Sequence, residues 1–208
     1  RYLAVHAHVE LTEWGQPKND LGAACLAYLR GPRDVEDTRK ALDALENAVT
    51  YDKVQLPADS AELFAQLAAE GDGERAGNAL ALQGAALASA PPGDARRADF
   101  LAELAKSVPT ADWASAVGAL TALGNLGGAE AAQVLADLAR RESLDRLLAS
   151  IAIDRLARCN DAALPHLYRM LFDERASSGS INGHENRMCD DAAEALDGIR
   201  GRRFGWAR

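Results

Sequence analysis

Aromatic side chains are scarce in this chain: phenylalanine, tyrosine and tryptophan make up only 5% of 208 residues. β-Branched residues are also few, which leaves little material for an extended sheet and favours a core built from alanine and leucine in helices. The three cysteines are an odd number without paired spacing, so neither a disulfide framework nor a zinc module is expected, and a reducing, cytoplasmic setting follows. Cys25 and Cys159 lie in apolar surroundings suited to free buried thiols; a Cys159–Cys189 pair is the minor alternative. No run approaches a membrane span and no signal-peptide pattern is present, so no membrane role is expected. The chain opens on Arg1 and not on methionine, and the expectation is that a leader or a domain has been lost upstream. Basic residues are outnumbered 31 to 23, for a net charge of -8. That balance excludes general nucleic-acid binding, which needs a cationic surface, and suits solubility or a basic protein partner.

What is present is a repeat. Ala116, Ala119, Leu120 and Leu123 recur as Ala149, Ala152, Ile153 and Leu156, 33 residues on, and as Ala192, Ala195, Leu196 and Ile199, another 43 on. Alanines at i and i+3 followed by a large aliphatic give a low-relief helical stripe that a neighbour can approach closely. Between the first copies lies a second helix type, in which Val134 and Leu138 answer to Leu167 and Leu171. Each unit is thus a pair of antiparallel helices that must stack to cover its apolar face, an α-solenoid in an all-α chain. The extra ten residues of the last interval fall in 177–186, SSGSINGHEN, which has no helical period and reads as an inserted loop. Deleting 177–182 is expected to leave stability nearly unchanged.

In chain order, residues 1–57 read as an irregular helical capping region. Residues 1–14 suit either a half-exposed strand or a helix, and helix is favoured; a helix to Leu29 and another from Asp34 or Asp37 to about Val49 follow. Residues 58–109 read as degenerate repeats. There Ala86, Leu87 and Ala90 lie 33 before Ala119, Leu120 and Leu123, with Gln83 in place of an alanine. Residues 110–200 hold the well-formed repeats, entered through Thr110 as an N-cap, with the insertion at 175–187. Residues 201–208 form a basic tail with two aromatics. The glycine cluster 124–128 lacks the Lys-Ser or Lys-Thr ending of a phosphate loop and is explained as a helix end; no cofactor is expected.

The stretch Leu-Pro-His-Leu-Tyr-Arg-Met-Leu-Phe-Asp at 164–173 resembles the first helix of a HEAT-like repeat, with proline in its first turn and aspartate at its end. Residues 188–199, Met-Cys-Asp-Asp-Ala-Ala-Glu-Ala-Leu-Asp-Gly-Ile, resemble the second. The likeness extends over about 110–200 and includes the short bacterial repeats related to bilin lyases, although Met188-Cys189 stand where that family often has Val-Arg. It implies a right-handed superhelix and a concave surface for a protein or peptide. It also admits an enzyme or enzyme subunit, of bilin-lyase or DNA alkylation-repair type.

Few residues suggest chemistry, and no catalytic set is identified. On a strand, His6, His8 and Glu10 would share a face as metal ligands do; on a helix, residues two apart diverge. His166 occupies the place of Gln133 one repeat earlier and is expected to be exposed. His184 and Glu185 lie in the insertion, with Asn182. Trp113 and Tyr168 suit either core packing or an interface hot spot. The leading expectation is a non-enzymatic protein-binding scaffold, one version of it an acidic inhibitor of immunity type for a basic partner. Trp113, Tyr168, His166, Arg169, Asn182, His184 and Glu185 are the contact candidates, and the insertion and the concave helices are equal candidates for the site.

Overall fold

The computed structural model describes residues 19–32, 34–91, 93–181 and 184–200. His6, His8 and Glu10, the strand-or-helix question at 1–14, Asn182 and the basic tail lie outside the described residues.

Ten α-helices and one β-hairpin make up the described chain. The first, α1 (Asn19–Leu29), leads to α2 (Val35–Asp52). Asp34 starts α2, its carboxylate accepting the Asp37 N–H at 2.8 Å, and Glu36 and Asp37 occupy the first turn, where the helix dipole favours negative charge. Lys53 ends it in the left-handed region at φ 58°. After a short 3-10 turn come α3 (Ala61–Glu70) and α4 (Gly73–Ala88), then α5 (Ala95–Ser107), capped by Asp94. Asp112 opens α6 (Trp113–Leu126), accepting the Ser115 N–H at 3.1 Å and the Ser115 hydroxyl at 2.6 Å. The cap is therefore Asp112 and not Thr110, whose hydroxyl turns back to the Ser107 carbonyl. Gly127, at φ 64°, makes the tight link to α7 (Gly128–Arg140). The chain continues through α8 (Arg146–Ala157), α9 (Leu164–Met170) and α10 (Met188–Arg200).

Every second helix packs on the next but one. In one row α2 meets α4, α4 meets α6, α6 meets α8 and α8 meets α10; in the other α5 meets α7 and α7 meets α9. The repeated positions do what their spacing predicts: the alanine and leucine sets of α6 and α8 are at most 2% exposed, and those of α10 are buried except for Ile199, which packs against the edge of the core. A single apolar cluster runs from Cys25 to Leu196. No described helix is long and apolar enough to cross a membrane.

The tightest approach is between α4 and α6, and it depends on glycine. A Cβ added to Gly118 would lie 2.2 Å from the Gly77 Cα, and one added to Gly84 would lie 2.2 Å from the Ala122 carbonyl oxygen. Gly77 faces Ala114 and Gly118 while Gly84 faces Ala122, so both helices run in the same direction with their backbones touching. The same direction holds from α6 to α8, where Thr121 meets Arg155 and Asn125 meets Arg158.

The insertion is not a loop. It forms an antiparallel pair, β1 (Ala176–Ile181) and β2 (His184–Arg187), with Ala176 opposite Arg187 and Ile181 opposite His184. The absence of helical periodicity was a sound signal, but short polar strands are selected by their pairing partner and leave little trace in composition. β1 packs on α8, and Ser177 is 6% exposed. The base of the hairpin also starts α10: the carbonyls of Arg175 and Asp173 accept the N–H groups of Met188 and Cys189, each at 2.9 Å. Asp173 finds its arginine two residues on, in Arg175 (Nε to Oδ1, 2.9 Å), and Arg175 also donates to the Ala139 and Arg140 carbonyls that end α7.

Two outcomes are expected. Gly118→Ala should lower stability by roughly 1–3 kcal/mol despite alanine's better helix propensity, because the obstacle is backbone. Gly198→Ala in α10, whose added Cβ meets nothing within 4 Å, should be neutral or stabilising; urea midpoints of the pair compare them, and equal effects would refute the close crossing. Deleting 177–182 should cost about 1–2 kcal/mol, since it exposes the face of α8 that β1 covers; a thermal melt unchanged by the deletion would show that the hairpin carries no packing.

Candidate functional site

Polar side chains of the first row meet in one cleft, with a cavity volume of about 330 Å³. Its floor is the α4–α6 seam, where Gly77, Ala81, Ala114 and Gly118 bring the surface down to backbone. Spacing of four places Glu74 and Asn78 on one stripe of α4 and Trp113, Val117 and Thr121 on one stripe of α6. Glu46 of α2 and Arg155 of α8 stand at opposite sides.

The residues around it are linked from helix to helix. Asn78 Nδ2 donates to Asp43 Oδ1 at 2.6 Å, tying α4 to α2. Arg155 Nε donates to Thr121 Oγ1 at 3.1 Å, tying α8 to α6, and the Arg155 guanidinium also pairs with Asp154. Asn125 bridges three helices: Nδ2 donates to the Ala81 carbonyl at 3.0 Å, and Oδ1 accepts from Arg158 Nη1 at 2.8 Å.

Charge is unevenly neutralised. Arg39 is matched by Glu36 and Asp43, and Arg155 by Asp154, whereas neither Glu46 nor Glu74 has an ion pair or hydrogen bond among the described residues. Burial pushes the Glu46 carboxyl above the usual range, opposed by the positive fields of Arg155 and Arg158 and reinforced by Asp43 and Glu74. Asp43 is raised for the same reason, with Arg39 and Asn78 opposing. Burial, and then Arg155 beside it, lowers the Arg158 guanidinium. Trp113 is 48% exposed, so its indole is available at the cleft and is not part of the core. Among the described residues the cleft offers carboxylate and amide acceptors, the Trp113 ring and a shallow backbone floor, and no histidine, cysteine or serine lines it.

The remaining sequence candidates lie elsewhere. His166, Tyr168 and Arg169 are on α9, which contacts α7 and α10. His184 and Glu185 are in β2, paired with Ile181 and Ser180. None of them joins Trp113 at the cleft. Tyr168 is 40% exposed, yet the Arg200 guanidinium sits 5.3 Å from its ring centroid and bonds its hydroxyl. His166 is half-buried rather than exposed, its Nδ1 enclosed without a partner; burial, then Arg140 and Arg169, lowers its pKa. Gln133, one repeat earlier, is exposed, whereas His166 sits within reach of Arg140 and Asp137 of the neighbouring α7. Among the described residues, no group of three or more His, Cys, Asp or Glu could hold a metal ion.

Glu46, Glu74, Asn78 and Arg155 were not singled out from sequence, because they come from three helices over more than a hundred positions. The available signal was Thr121, a polar residue amid the apolar run from Ala116 to Leu123, which the fold buries to 3% exposure. Comparison of the chain with protein-family profiles, curated proteins and solved structures finds no match.

Because Glu46 is raised in the fold, its ionisation works against stability. The penalty is absent where the carboxyl is protonated in both states, and it develops as pH rises through the raised value. Glu46→Gln should therefore be more stable than the parent at pH 7, with the gap closing toward about pH 3. Urea midpoints across that range check the sign; a less stable variant at pH 7 would mean that attraction to Arg155 and Arg158 outweighs burial.

Proposed function

We propose that this chain is a non-enzymatic scaffold, a HEAT-like α-solenoid of antiparallel helix pairs with a right-handed superhelix, whose first row forms the concave side and holds a protein or peptide partner. The observation that carries this reading is the cleft itself: four successive first-row helices contribute to it, and a stack of parallel helices is the geometry that yields an extended binding surface. The 33-residue recurrence supports the repeat, since the Asn125–Arg158 bond joins positions one period apart. Two buried free cysteines, Cys25 and Cys159, with thiols that burial pushes up to about 11, suit a reducing cytoplasm. The acidic balance of the chain and the unpaired carboxylates at the cleft favour a basic partner, as for an inhibitor of immunity type.

The α9 face, with Tyr168 at 40% and Phe172 at 86% exposed, is the competing surface. Capture of partners on immobilised protein, read by mass spectrometry with low- and high-salt washes, separates the two. Trp113→Ala and Glu46→Ala should each reduce recovery of a specific partner about fivefold or more, the scale of one lost hot-spot contact, while Tyr168→Ala leaves it unchanged. Loss with Tyr168→Ala alone would move the site to α9 and the hairpin.

A further inference from the structure

We propose that the cleft receives the side chain of an arginine from a basic segment of the partner, its guanidinium lying against the Trp113 indole and facing the carboxylates of Glu46 and Glu74. This rests on the scaffold reading and names the chemistry of what the cleft holds. Four independent features lead to it. The cavity, about 330 Å³, has room for one long side chain and part of its backbone, and its glycine floor lets that chain lie close to the α4–α6 seam.

The cleft also has a charge deficit. Its lining cation is occupied, Arg155 being bound to Asp154 and Thr121, while the carboxylates of half-buried Glu46 and exposed Glu74 make no ion pair or hydrogen bond among the described residues and feel Arg155, Arg158 and Arg39 only at longer range. Half-buried Glu46 carries a desolvation penalty that an incoming cation offsets, and exposed Glu74 adds its charge at the rim; an incoming anion would meet both.

The third feature is Trp113, 48% exposed at the cleft. An accessible indole face beside carboxylates matches a cation with a flat, weakly hydrated surface, because the guanidinium stacks on the ring while its edge donates to carboxylates. An ammonium group can do the second but not the first. Finally, Asn78 spends its amide N–H on Asp43, which leaves its side-chain carbonyl as a further acceptor for a group with five N–H donors.

The test uses the whole chain and N-acetyl-arginine amide as the probe, with N-acetyl-citrulline amide as its neutral isostere. Binding is followed by backbone NMR shifts and is expected to saturate at a Kd on the order of millimolar, with the shifted amides clustered around Glu46, Glu74 and Trp113. Citrulline should bind about tenfold more weakly or worse, and Glu46→Gln and Trp113→Ala should each weaken arginine about fivefold. Trp113 is half exposed, so its removal leaves the fold intact, and a circular dichroism melt of each variant verifies this. Equal binding of citrulline, indifference of both variants, or no saturation by about 100 mM would overturn the proposal. Those results leave the capture experiment unaffected, since it asks only whether cleft residues are needed; loss of partner capture with Trp113→Ala, without arginine binding, would keep the scaffold and remove this occupant.

Discussion

The contact on which the rest of the molecule depends is the backbone crossing of α4 over α6. Glycine inside a helix costs about 1 kcal/mol relative to alanine, and this pair of helices carries Gly77, Gly84, Gly118 and Gly124 within them. A fold keeps such residues where a side chain would be worse. With Gly118 against Gly77 and Gly84 against Ala122, the axes come close enough for Leu82, Leu87, Leu120 and Leu123 to be almost wholly buried, and dispersion across the close-packed seam offsets the lost propensity. The same closeness makes the cleft: a bulky seam would fill the space that the glycines leave open.

Polar contacts flank this seam and continue to the first-row helices on either side of it. Asp43 with Asn78, Asn125 with Ala81 and Arg158, and Thr121 with Arg155 step across four helices in turn. Each bond is partly exposed to water, so its net contribution is small, of the order of 1 kcal/mol. Their directionality matters more than their strength. Apolar stripes of alanine and leucine tolerate sliding by a turn, whereas an asparagine that must meet a carbonyl on one side and an arginine on the other fixes the register of three helices at once.

This division explains what the sequence revealed. Burial of alanine and leucine follows helical period, so Ala116, Ala149 and Ala192 and their companions located the core face of three helices correctly, and capping chemistry narrowed the start of α2 to Asp34 or Asp37, of which the fold uses Asp34. Local alternatives were harder: Thr110 and Asp112 are both good caps, and only the fold shows which carboxylate reaches the Ser115 N–H. The hairpin was hidden because SSGSI and HENR gain their order from each other and from α8. The glycines inside α4 and α6 carry no local signal of their role, since the clash they avoid is with a neighbour 41 residues away, as between Gly77 and Gly118. The cleft was least visible of all. Trp113 was found for its chemistry, but Glu46 acquires its character from burial, opposed by Arg155 and Arg158 about a hundred residues away, and neither influence has a linear signature.

The distribution of arginine ties these strands together. A chain with more acidic than basic residues still places several of its guanidiniums where they are consumed locally: Arg39 by Glu36 and Asp43, Arg96 by Asp94, Arg140 by Asp137, Arg175 by Asp173. Such pairs are worth little individually at a surface, but they remove the cations that would otherwise answer stray carboxylates. The surplus negative charge then shows wherever geometry forbids a short-range partner. At Glu46 the glycine seam supplies no side chain, and Arg155 is turned toward Thr121 and Asp154. That the Glu46 carboxylate is answered only by the longer-range fields of Arg155 and Arg158 is therefore tied to the close crossing: helices that meet through bare backbone present no long side chain at the seam to pair with it.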